Sequence, residues 1–250
     1  GGALAAAGAA VLARTLRRRR EALSGIPAEL LSPLAFFPIP ANDTVVRLTR
    51  MLPAPASQVH AGVVADTRTV VAPGGSHPVD VVVYEPEGRE RPGAALLWIH
   101  GGGLVLGAAA SFHDSCSAMA HELGVLVVSV DYRLAPEHPF PVPLDDCYAA
   151  LRWLHEEATA LGVDRGRIAV GGDSAGGGLA ASLAQLAHDR GEVPVCFQAL
   201  VYPMIDDRTA LVSDHAGRGA AVWTPQANRF GWSAYLGHEP TAAPERPYAA

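Results

Sequence analysis

The sequence predicts an α/β fold in which a mostly parallel sheet carries helices on both faces. Residues 94–99 and 125–130 are apolar runs without polar alternation, which is typical of strands buried on both faces. A β-branched run at 168–170 leads through a glycine-rich turn into a segment with leucines spaced by four and three, which indicates strand, sharp turn and helix. Because strands that alternate with helices over this length form parallel sheets, we expect a three-layer core.

Composition agrees with one sizeable globular domain. The chain has 250 residues, of which 49% are hydrophobic and 18% charged. Its net charge of −6 gives no electrostatic reason to bind nucleic acid. The three cysteines, Cys116, Cys147 and Cys196, lie in apolar segments without C-x-x-C spacing, so we expect small core residues and neither a disulfide framework nor a metal site.

The first 13 residues are apolar and precede a run of arginines at 17–20. This stretch is too short to span a bilayer by itself. We expect a helical lead-in to a cytoplasmic protein. The alternative is a membrane anchor, or a weak membrane association, formed with residues upstream of Gly1, with the arginines on the cytoplasmic side.

The other predicted elements follow from local patterns. Prolines break one or two helices within 21–55, and two β-branched runs at 67–72 and 79–84 form a hairpin at the sheet edge. A helix at about 112–123 precedes the second buried strand, and a later helix begins at a cap on Asp145 and is closed by Gly162. One more strand covers 197–202, and the remainder is compatible with one or two helices without a final strand.

The glycine-rich turn carries the strongest candidate site. Gly172-Asp173-Ser174-Ala175-Gly176 has the pattern G-x-S-x-G, in which two glycines let strand and helix pass close to a strained turn. Ser174 then presents its hydroxyl above the sheet, and the N–H of Ala175 lies at a helix N-terminus that favours developing negative charge. The alternatives are a plain turn or a phosphate loop, but no Lys-Ser/Thr pair follows the glycines as a P-loop requires.

A second glycine cluster follows the first buried strand. His100-Gly101-Gly102-Gly103 places three residues without a Cβ where that strand ends, so backbone N–H groups can turn toward a ligand at close range. A dinucleotide-binding loop is excluded by spacing, because Leu106 stands where the third glycine is required. Ligands of parallel sheets bind beyond the carboxyl ends of the strands, where both glycine clusters and Asp131 fall.

Three motifs in register resemble one known family. They are His100 to Gly103, Asp131-Tyr132-Arg133-Leu134-Ala135-Pro136-Glu137, and Gly172-Asp173-Ser174-Ala175-Gly176-Gly177. Together they resemble the bacterial hormone-sensitive-lipase-like esterases of the α/β-hydrolase fold over about residues 64–250. The resemblance implies a hydrolase of carboxylic esters, usually with a short acyl chain, that uses no cofactor.

The resemblance also assigns roles to residues. It implies that Ser174 is the nucleophile and that the N–H groups of Gly102, Gly103 and Ala175 form an oxyanion hole, with Gly101 shaping that loop. The supporting motif residues are His100, Gly172, Asp173 and Gly176. Asp131, Arg133, Glu137 and His138 are expected mainly to pair internally and so to fix the oxyanion loop.

The resemblance further implies a division of the chain. Residues 1–55 are expected to form a lead-in and cap helices, 56–204 the hydrolase core, and 205–250 a cap insertion. The cap segments themselves, roughly 15–55 and 205–245, contain enough Leu, Phe and Trp for an apolar lid over the acyl pocket.

A base for the serine is harder to place. In this fold the order along the chain is Ser, then Asp or Glu, then His. Three histidines follow Ser174, at positions 188, 215 and 238, and His188 lies 14 residues along the predicted helix, roughly 21 Å away at a rise of 1.5 Å per residue. We therefore expect that the sequence stops before the acid and the base, with an Asp207–His238 pair as the alternative.

Two other functions remain open. The same fold serves plant gibberellin receptors, which keep the serine, lack the histidine and bind a small ligand. An amidase or peptidase uses the same parts as an esterase. In each case the expected partner is a small molecule, and the oligomeric state is not predicted.

Overall fold

The computed structural model describes residues 17, 20–21, 23–27, 29, 42–52, 57–71, 77–213, 215, 219, 222–243 and 245–250. Within them, six strands form one sheet: β1 (Val63–Val71), β2 (Pro78–Pro86), β3 (Gly93–Ile99), β4 (Leu126–Asp131), β5 (Val163–Asp173) and β6 (Phe197–Val201). The helices are α1 (Asp43–Arg50), α2 (His113–Leu123), α3 (Val142–Glu156), α4 (Ala175–Arg190) and α5 (Pro225–Leu236), with 3₁₀ turns at Ala109–Phe112 and Asp207–Leu211.

The strand order in the sheet is β1-β2-β4-β3-β5-β6. β1 and β2 form the predicted antiparallel hairpin, and β2 pairs antiparallel with β4. The remaining neighbours are parallel, with Leu97 opposite both Val128 of β4 and Val170 of β5. The parallel strands therefore end together, and the segments after β3, β4, β5 and β6 meet at one edge of the sheet.

The core fills both faces of the sheet, as the continuous apolar runs predicted. Successive side chains of a strand point to opposite faces. Leu97 and Ile99 of β3 belong to a cluster with Leu151 of α3 and Leu183 of α4, whereas Leu96 and Trp98 pack in a second cluster with α2 residues such as Cys116. The two clusters confirm the three-layer α/β fold.

Several local predictions were wrong in detail. Asp145 does not cap α3, which begins three residues earlier after Pro141 with no side-chain cap; Pro143 in the first turn has its backbone angle already suited to a helix. The helix ends at Glu156, so Gly162, with φ +62°, lies in a later turn. Cys116 and Cys147 are buried as predicted, but Cys196 is exposed, because it precedes the edge strand β6.

Much of the N-terminal prediction falls outside the described residues, including the apolar segment 1–13 and most of 28–41. Helix α1 lies in the predicted helical region, and its Asn42 side chain caps it by accepting from the N–H of Val45 at 2.9 Å. In the part of the chain that the structure describes, no helix has both the length and the apolar character needed to cross a bilayer.

Candidate active site

Ser174 occupies the sharp turn between β5 and α4. Its backbone has φ 53° and ψ −118°, a conformation that residues with a Cβ rarely adopt. Strand and helix follow each other without a loop, so the side chain stands at the carboxyl edge of the sheet, half-buried, at the N-terminus of a 16-residue helix. The predicted strained turn is therefore present, and the N–H of Ala175 is the first of the helix.

Two glycines explain how the chain makes this turn. A Cβ on Gly172 would lie 2.4 Å from the carbonyl oxygen of Ile99, and one on Gly176 would lie 2.5 Å from that of His100. Real Cβ atoms do not approach oxygen so closely. The turn therefore needs glycine at both positions of the motif because it passes directly against the end of β3.

The end of β6 holds the turn from the other side. The N–H of Ser174 donates to the carbonyl of Val201 at 2.9 Å, and the carbonyl of Ser174 accepts from the N–H of Met204 at 2.9 Å. Gly178 lies against the same segment, since a Cβ there would meet the carbonyl oxygen of Met204. The serine turn is thus held between the end of β3 on one side and the end of β6 on the other.

The loop after β3 lies beside Ser174 and is tied to the serine turn. The N–H of Gly101 donates to the Asp173 carboxylate at 3.1 Å, so Gly101 shapes the loop and its N–H is not available to an oxyanion. Burial raises the pKa of Asp173 above its ordinary value, although backbone N–H groups act in the opposite direction. This contact connects the two glycine motifs through one hydrogen bond.

Gly102 and Gly103 make the tight part of the loop, with φ +124° and +64°. The carbonyl of Gly102 accepts from the N–H of Leu106 at 2.9 Å, which closes the turn. Within the described residues, the N–H groups of Gly102 and Gly103 have no protein acceptor. Free N–H groups of this kind, beside the N-terminus of α4, are what stabilises negative charge on an oxygen.

His100 supports this loop from inside the fold. Its ring is fully buried and stacks between Phe112 and Tyr132, at centroid distances of 5.4 and 4.4 Å. Burial lowers its pKa, and Nδ1 lies 2.7 Å from the carbonyl of Gly101. Because a carbonyl only accepts, Nδ1 carries the proton of a neutral ring. Among the described residues Nε2 has no hydrogen-bond partner, so His100 contacts the loop and not the hydroxyl of Ser174.

The polar side chains at the end of β4 and in the segment after it pair with other parts of the protein. Asp131 accepts from the N–H of Ala109 at 2.8 Å, and Tyr132 donates its hydroxyl to the carbonyl of His100 at 2.9 Å. Arg133 makes a two-pronged contact with Asp146 at 2.9 and 2.7 Å. His138 donates its backbone N–H to Leu134, and Glu137 binds Arg50 at 2.7 Å.

Trp223 contacts the loop, although no motif pointed to it. Its ring lies against Gly103, where a Cβ would come within 2.2 Å of the indole. The indole N–H donates to Asn228 at 3.1 Å, and Asn228 donates in turn to Thr209 at 3.0 Å. A residue from the predicted cap region therefore covers the glycine turn. No local sequence pattern could have indicated this contact, because Trp223 lies far from Gly103 in the sequence.

Neither His188 nor His238 forms a hydrogen bond with the hydroxyl of Ser174 in the described part of the chain. His238 is exposed, with Nδ1 3.0 Å from the carbonyl of Glu239 and Nε2 3.6 Å from Glu245. Within the described ranges, the carboxylate that faces His238 is Glu245, and no hydrogen bond or ion pair joins His238 to Asp207, its partner in the alternative pair. Asp207 is 4% exposed and its Oδ2 has no partner.

A cavity of about 610 Å³ lies beside α4. Its lining includes Ala175, Leu179, Ser182, Asp207, Trp232 and Tyr235. Leu104 and Ala175, which adjoin the glycine loop and the serine, are among its lining residues, whereas Ser174 and Gly101 to Gly103 are not. No group of three or more His, Cys, Asp or Glu side chains able to hold a metal ion occurs in the described ranges.

Comparison with known proteins agrees with this geometry. The family model for the alpha/beta hydrolase fold matches residues 96–250, which contain all three motifs. The chain is 42% identical over 158 residues to Esterase LipI of Mycobacterium tuberculosis, covering 62% of this chain and 48% of that protein. It is 46% identical over 164 residues to an ethyl acetate hydrolase of Pseudomonas putida, covering 64% and 47%. The chain thus matches about half the length of these relatives.

Solved structures show the same likeness. The chain superimposes on a bacterial heroin esterase with a TM-score of 0.74 at 35% identity, covering 92% of this chain and 73% of that one. The esterase LipW of Mycobacterium marinum gives 0.72 at 30% identity, covering 90% and 72%. The chain therefore belongs to the alpha/beta hydrolase fold family, whose bacterial hormone-sensitive-lipase-like branch its three motifs resemble.

Proposed function

We propose that the protein hydrolyses carboxylic esters of short acyl chains through a serine nucleophile. One observation carries this proposal: Ser174 stands in a strained strand-to-helix turn that is hydrogen-bonded, through Asp173, to a glycine loop with unpaired N–H groups. The names of its relatives, among them esterases and an ethyl acetate hydrolase, support an ester as the substrate.

The proposed reaction has two halves. The Ser174 oxygen attacks the ester carbonyl, and the N–H groups of Gly102, Gly103 and Ala175 stabilise the negative charge on the carbonyl oxygen. The alcohol leaves with a proton, and the acyl group stays on the serine until water attacks it in the same way. A base must accept the serine proton. We propose that this base and the acid that orients it are supplied by residues of the whole protein beyond the given sequence.

The residues 1–55 and 205–250 are proposed to cover the site. Arg50 of α1 contacts the carbonyl of Val105, and Trp223 lies on Gly103, so elements from both segments meet the glycine loop. An indole against the hole restricts the space for an acyl group, which supports short chains. We also propose that the protein is located in the cytoplasm, which cell fractionation tests.

Hydrolysis of p-nitrophenyl acetate, butyrate and octanoate tests this proposal. The hydrolysis rates of the 250-residue chain are compared with those of the full-length protein, if the coding region is longer. We expect kcat/KM to be higher for acetate and butyrate than for octanoate, and to fall by about 10³-fold or more in Ser174→Ala. Ser182→Ala, on the same helix, is the matched control and should retain activity. Equal rates in the Ser174→Ala variant and the parent would contradict the proposal.

A small-ligand-binding protein is the second candidate, because His188 and His238, which follow the serine among the described residues, form no hydrogen bond with the Ser174 hydroxyl. It predicts saturable binding of an ester without turnover. Titration calorimetry with a non-hydrolysable ester analogue distinguishes the two functions, and p-nitroanilide substrates test the amidase alternative.

A further inference from the structure

Arg50, the last residue of α1, makes three contacts with its guanidinium group. Nε donates to the carbonyl of Val105 at 2.9 Å, Nη2 donates to the carbonyl of Ala135, and Nη1 pairs with Glu137 at 2.7 Å. All three nitrogens of the planar group are used, and the side chain is only 23% exposed. The planar, five-donor shape of arginine allows this triple contact, and lysine cannot reproduce it.

The first of these contacts falls on the oxyanion loop. Val105 follows Gly103 by two residues and precedes Leu106, whose N–H closes the turn onto Gly102. On its other side the loop is fixed by the bond from Gly101 to Asp173. The loop is therefore held at Gly101 by Asp173 and at Val105 by Arg50.

The second contact reinforces the first. The N–H of Ala135 donates to the carbonyl of Leu104 at 3.0 Å, so the segment after β4 is itself bonded to the oxyanion loop. Val105 and Ala135 are both fully buried. Removing the guanidinium would leave their two buried carbonyls without this donor, and the turn would have to move or accept water.

The link stays charged at ordinary pH. Partial burial would raise the pKa of Glu137, but the hydrogen bond from Arg50 and the nearby charges of Arg50 and Arg47 lower it overall. Arginine does not lose its proton in this range. The ion pair between α1 and the segment after β4 is therefore present wherever Glu137 is ionised.

We propose that Arg50 is a positioning residue that couples helix α1 to the oxyanion loop and so sets the geometry of the hole. This inference rests on the proposed function. Because the hole acts on charge that develops during the reaction, loss of Arg50 affects kcat more than KM. A displacement of about 1 Å in such a site costs on the order of 10²-fold in rate.

Kinetics of three variants of the whole protein test this assignment. We expect Arg50→Ala to lower kcat by about 10- to 100-fold, with KM changed less than about threefold. Arg50→Lys keeps the charge and should recover part of the loss. Arg47→Ala is the matched control, because Arg47 lies on the same helix and pairs with Glu137 at 3.5 Å and Asp43 at 2.9 Å without touching the loop. It should behave like the parent.

Hydrogen exchange provides a readout that does not need turnover. We expect the amides of residues 101–107 to exchange faster in Arg50→Ala, while those of α4 and those of the whole chain in Arg47→Ala are unchanged. Equal kcat in Arg50→Ala and Arg47→Ala would overturn the assignment, as would a loss confined to KM. If the parent hydrolyses no ester, the proposed function fails. The exchange data then decide on Arg50: faster exchange confined to the turn supports its role, and unchanged exchange overturns it.

Discussion

The backbone of Ser174 is held in a conformation that costs free energy. With φ 53° and ψ −118°, the residue is about 1–3 kcal/mol above an ordinary backbone conformation, and the hydrogen bonds to Val201 and Met204 hold it there. The strained turn places the hydroxyl of Ser174, the proposed nucleophile, directly before the first N–H of α4. The residue with the strained backbone is therefore also the proposed nucleophile.

We predict that Ser174→Gly stabilises the protein. Glycine adopts positive φ without a steric penalty, so the free energy of unfolding should rise by about 1 kcal/mol or more. Ser174→Ala removes the same hydroxyl but keeps the Cβ, and its stability should stay within about 0.5 kcal/mol of the parent. Urea unfolding of both variants measures the difference. If the two are equally stable, the turn is not strained.

Gly172 gives a prediction in the opposite direction. A Cβ there would lie 2.4 Å from the carbonyl oxygen of Ile99, so Gly172→Ala should destabilise the protein by about 1–3 kcal/mol. Gly166→Ala, on the same strand, is the control, because its Cβ would meet only the Asp164 side chain at 3.4 Å. Urea midpoints compare the two. Similar midpoints would show that β3 and the turn are not in close contact.

The elements around the site are held together by polar contacts between segments that are far apart in sequence. The segment after β4 is fixed to α3 by Arg133 and Asp146, and to α1 by Glu137 and Arg50. Asp146 is 2% exposed, and its carboxylate pairs with the guanidinium of Arg133 at 2.7 Å. Arg50 also donates to the carbonyl of Val105, so one side chain joins this segment to the glycine loop.

Breaking the Arg133–Asp146 pair should therefore be costly. Arg133→Met leaves a buried carboxylate with one remaining backbone donor, and we expect a loss of about 3 kcal/mol in unfolding free energy. Arg152→Met is the matched control, since its partners Glu156 and Glu192 are 50% and 51% exposed and each such pair contributes about 0.5 kcal/mol or less. Thermal unfolding of both variants tests the contrast. A small effect in Arg133→Met would mean that the pair does not fix this segment.

Seen as one molecule, the sheet places every motif at the carboxyl edge of its parallel strands. β1 and β6 are the outer strands among those described, and Phe197 at the start of β6 is 63% exposed. The layers on both faces are apolar and well buried near β3 and β4. The region between α4, α5 and the 3₁₀ turn at Asp207–Leu211 instead holds the 610 Å³ cavity and the buried carboxyl group of Asp207.

Asp207 should make stability depend on pH. Burial, with the nearby charges of Glu245 and Asp206, raises its pKa above the ordinary 3.8. A raised carboxyl pKa contributes stability that is present below 3.8 and lost as the pH rises through the folded-state pKa. At neutral pH the ionised carboxylate destabilises the folded state. Asp207→Asn should therefore raise the free energy of unfolding by on the order of 1 kcal/mol at pH 7, and this gain should disappear toward pH 4.

Asp206→Asn is the control for this titration. The hydrogen bond from Arg208 lowers the pKa of Asp206, so its contribution is present above 3.8 and is lost as the pH falls. The two variants should differ in sign at pH 7. Thermal melts between pH 4 and 8 measure this, and a constant effect of Asp207→Asn at every pH would contradict it.

The sequence was sufficient for the parts of the fold that have a local pattern. Apolar runs identified β3 and β4, and the G-x-S-x-G motif located the serine turn because a close backbone approach requires glycine. The start of α3 was missed, since an acidic residue in a first turn resembles a cap. Arg50 and Trp223 could not be predicted, because they reach the glycine loop from more than 50 residues away, and nothing in their own neighbourhood records that contact.

Covalent labelling with a phosphonate ester tests whether the Ser174 hydroxyl is the nucleophile. A p-nitrophenyl alkylphosphonate should form a bond between the serine oxygen and phosphorus as p-nitrophenolate leaves and the hydroxyl proton passes to a base or to water. We expect the intact mass to show one adduct per chain, mapped by peptide analysis to Ser174, and absent from Ser174→Ala. An adduct on another residue, or equal p-nitrophenolate release from the Ser174→Ala variant, would contradict the assignment of Ser174 as the nucleophile.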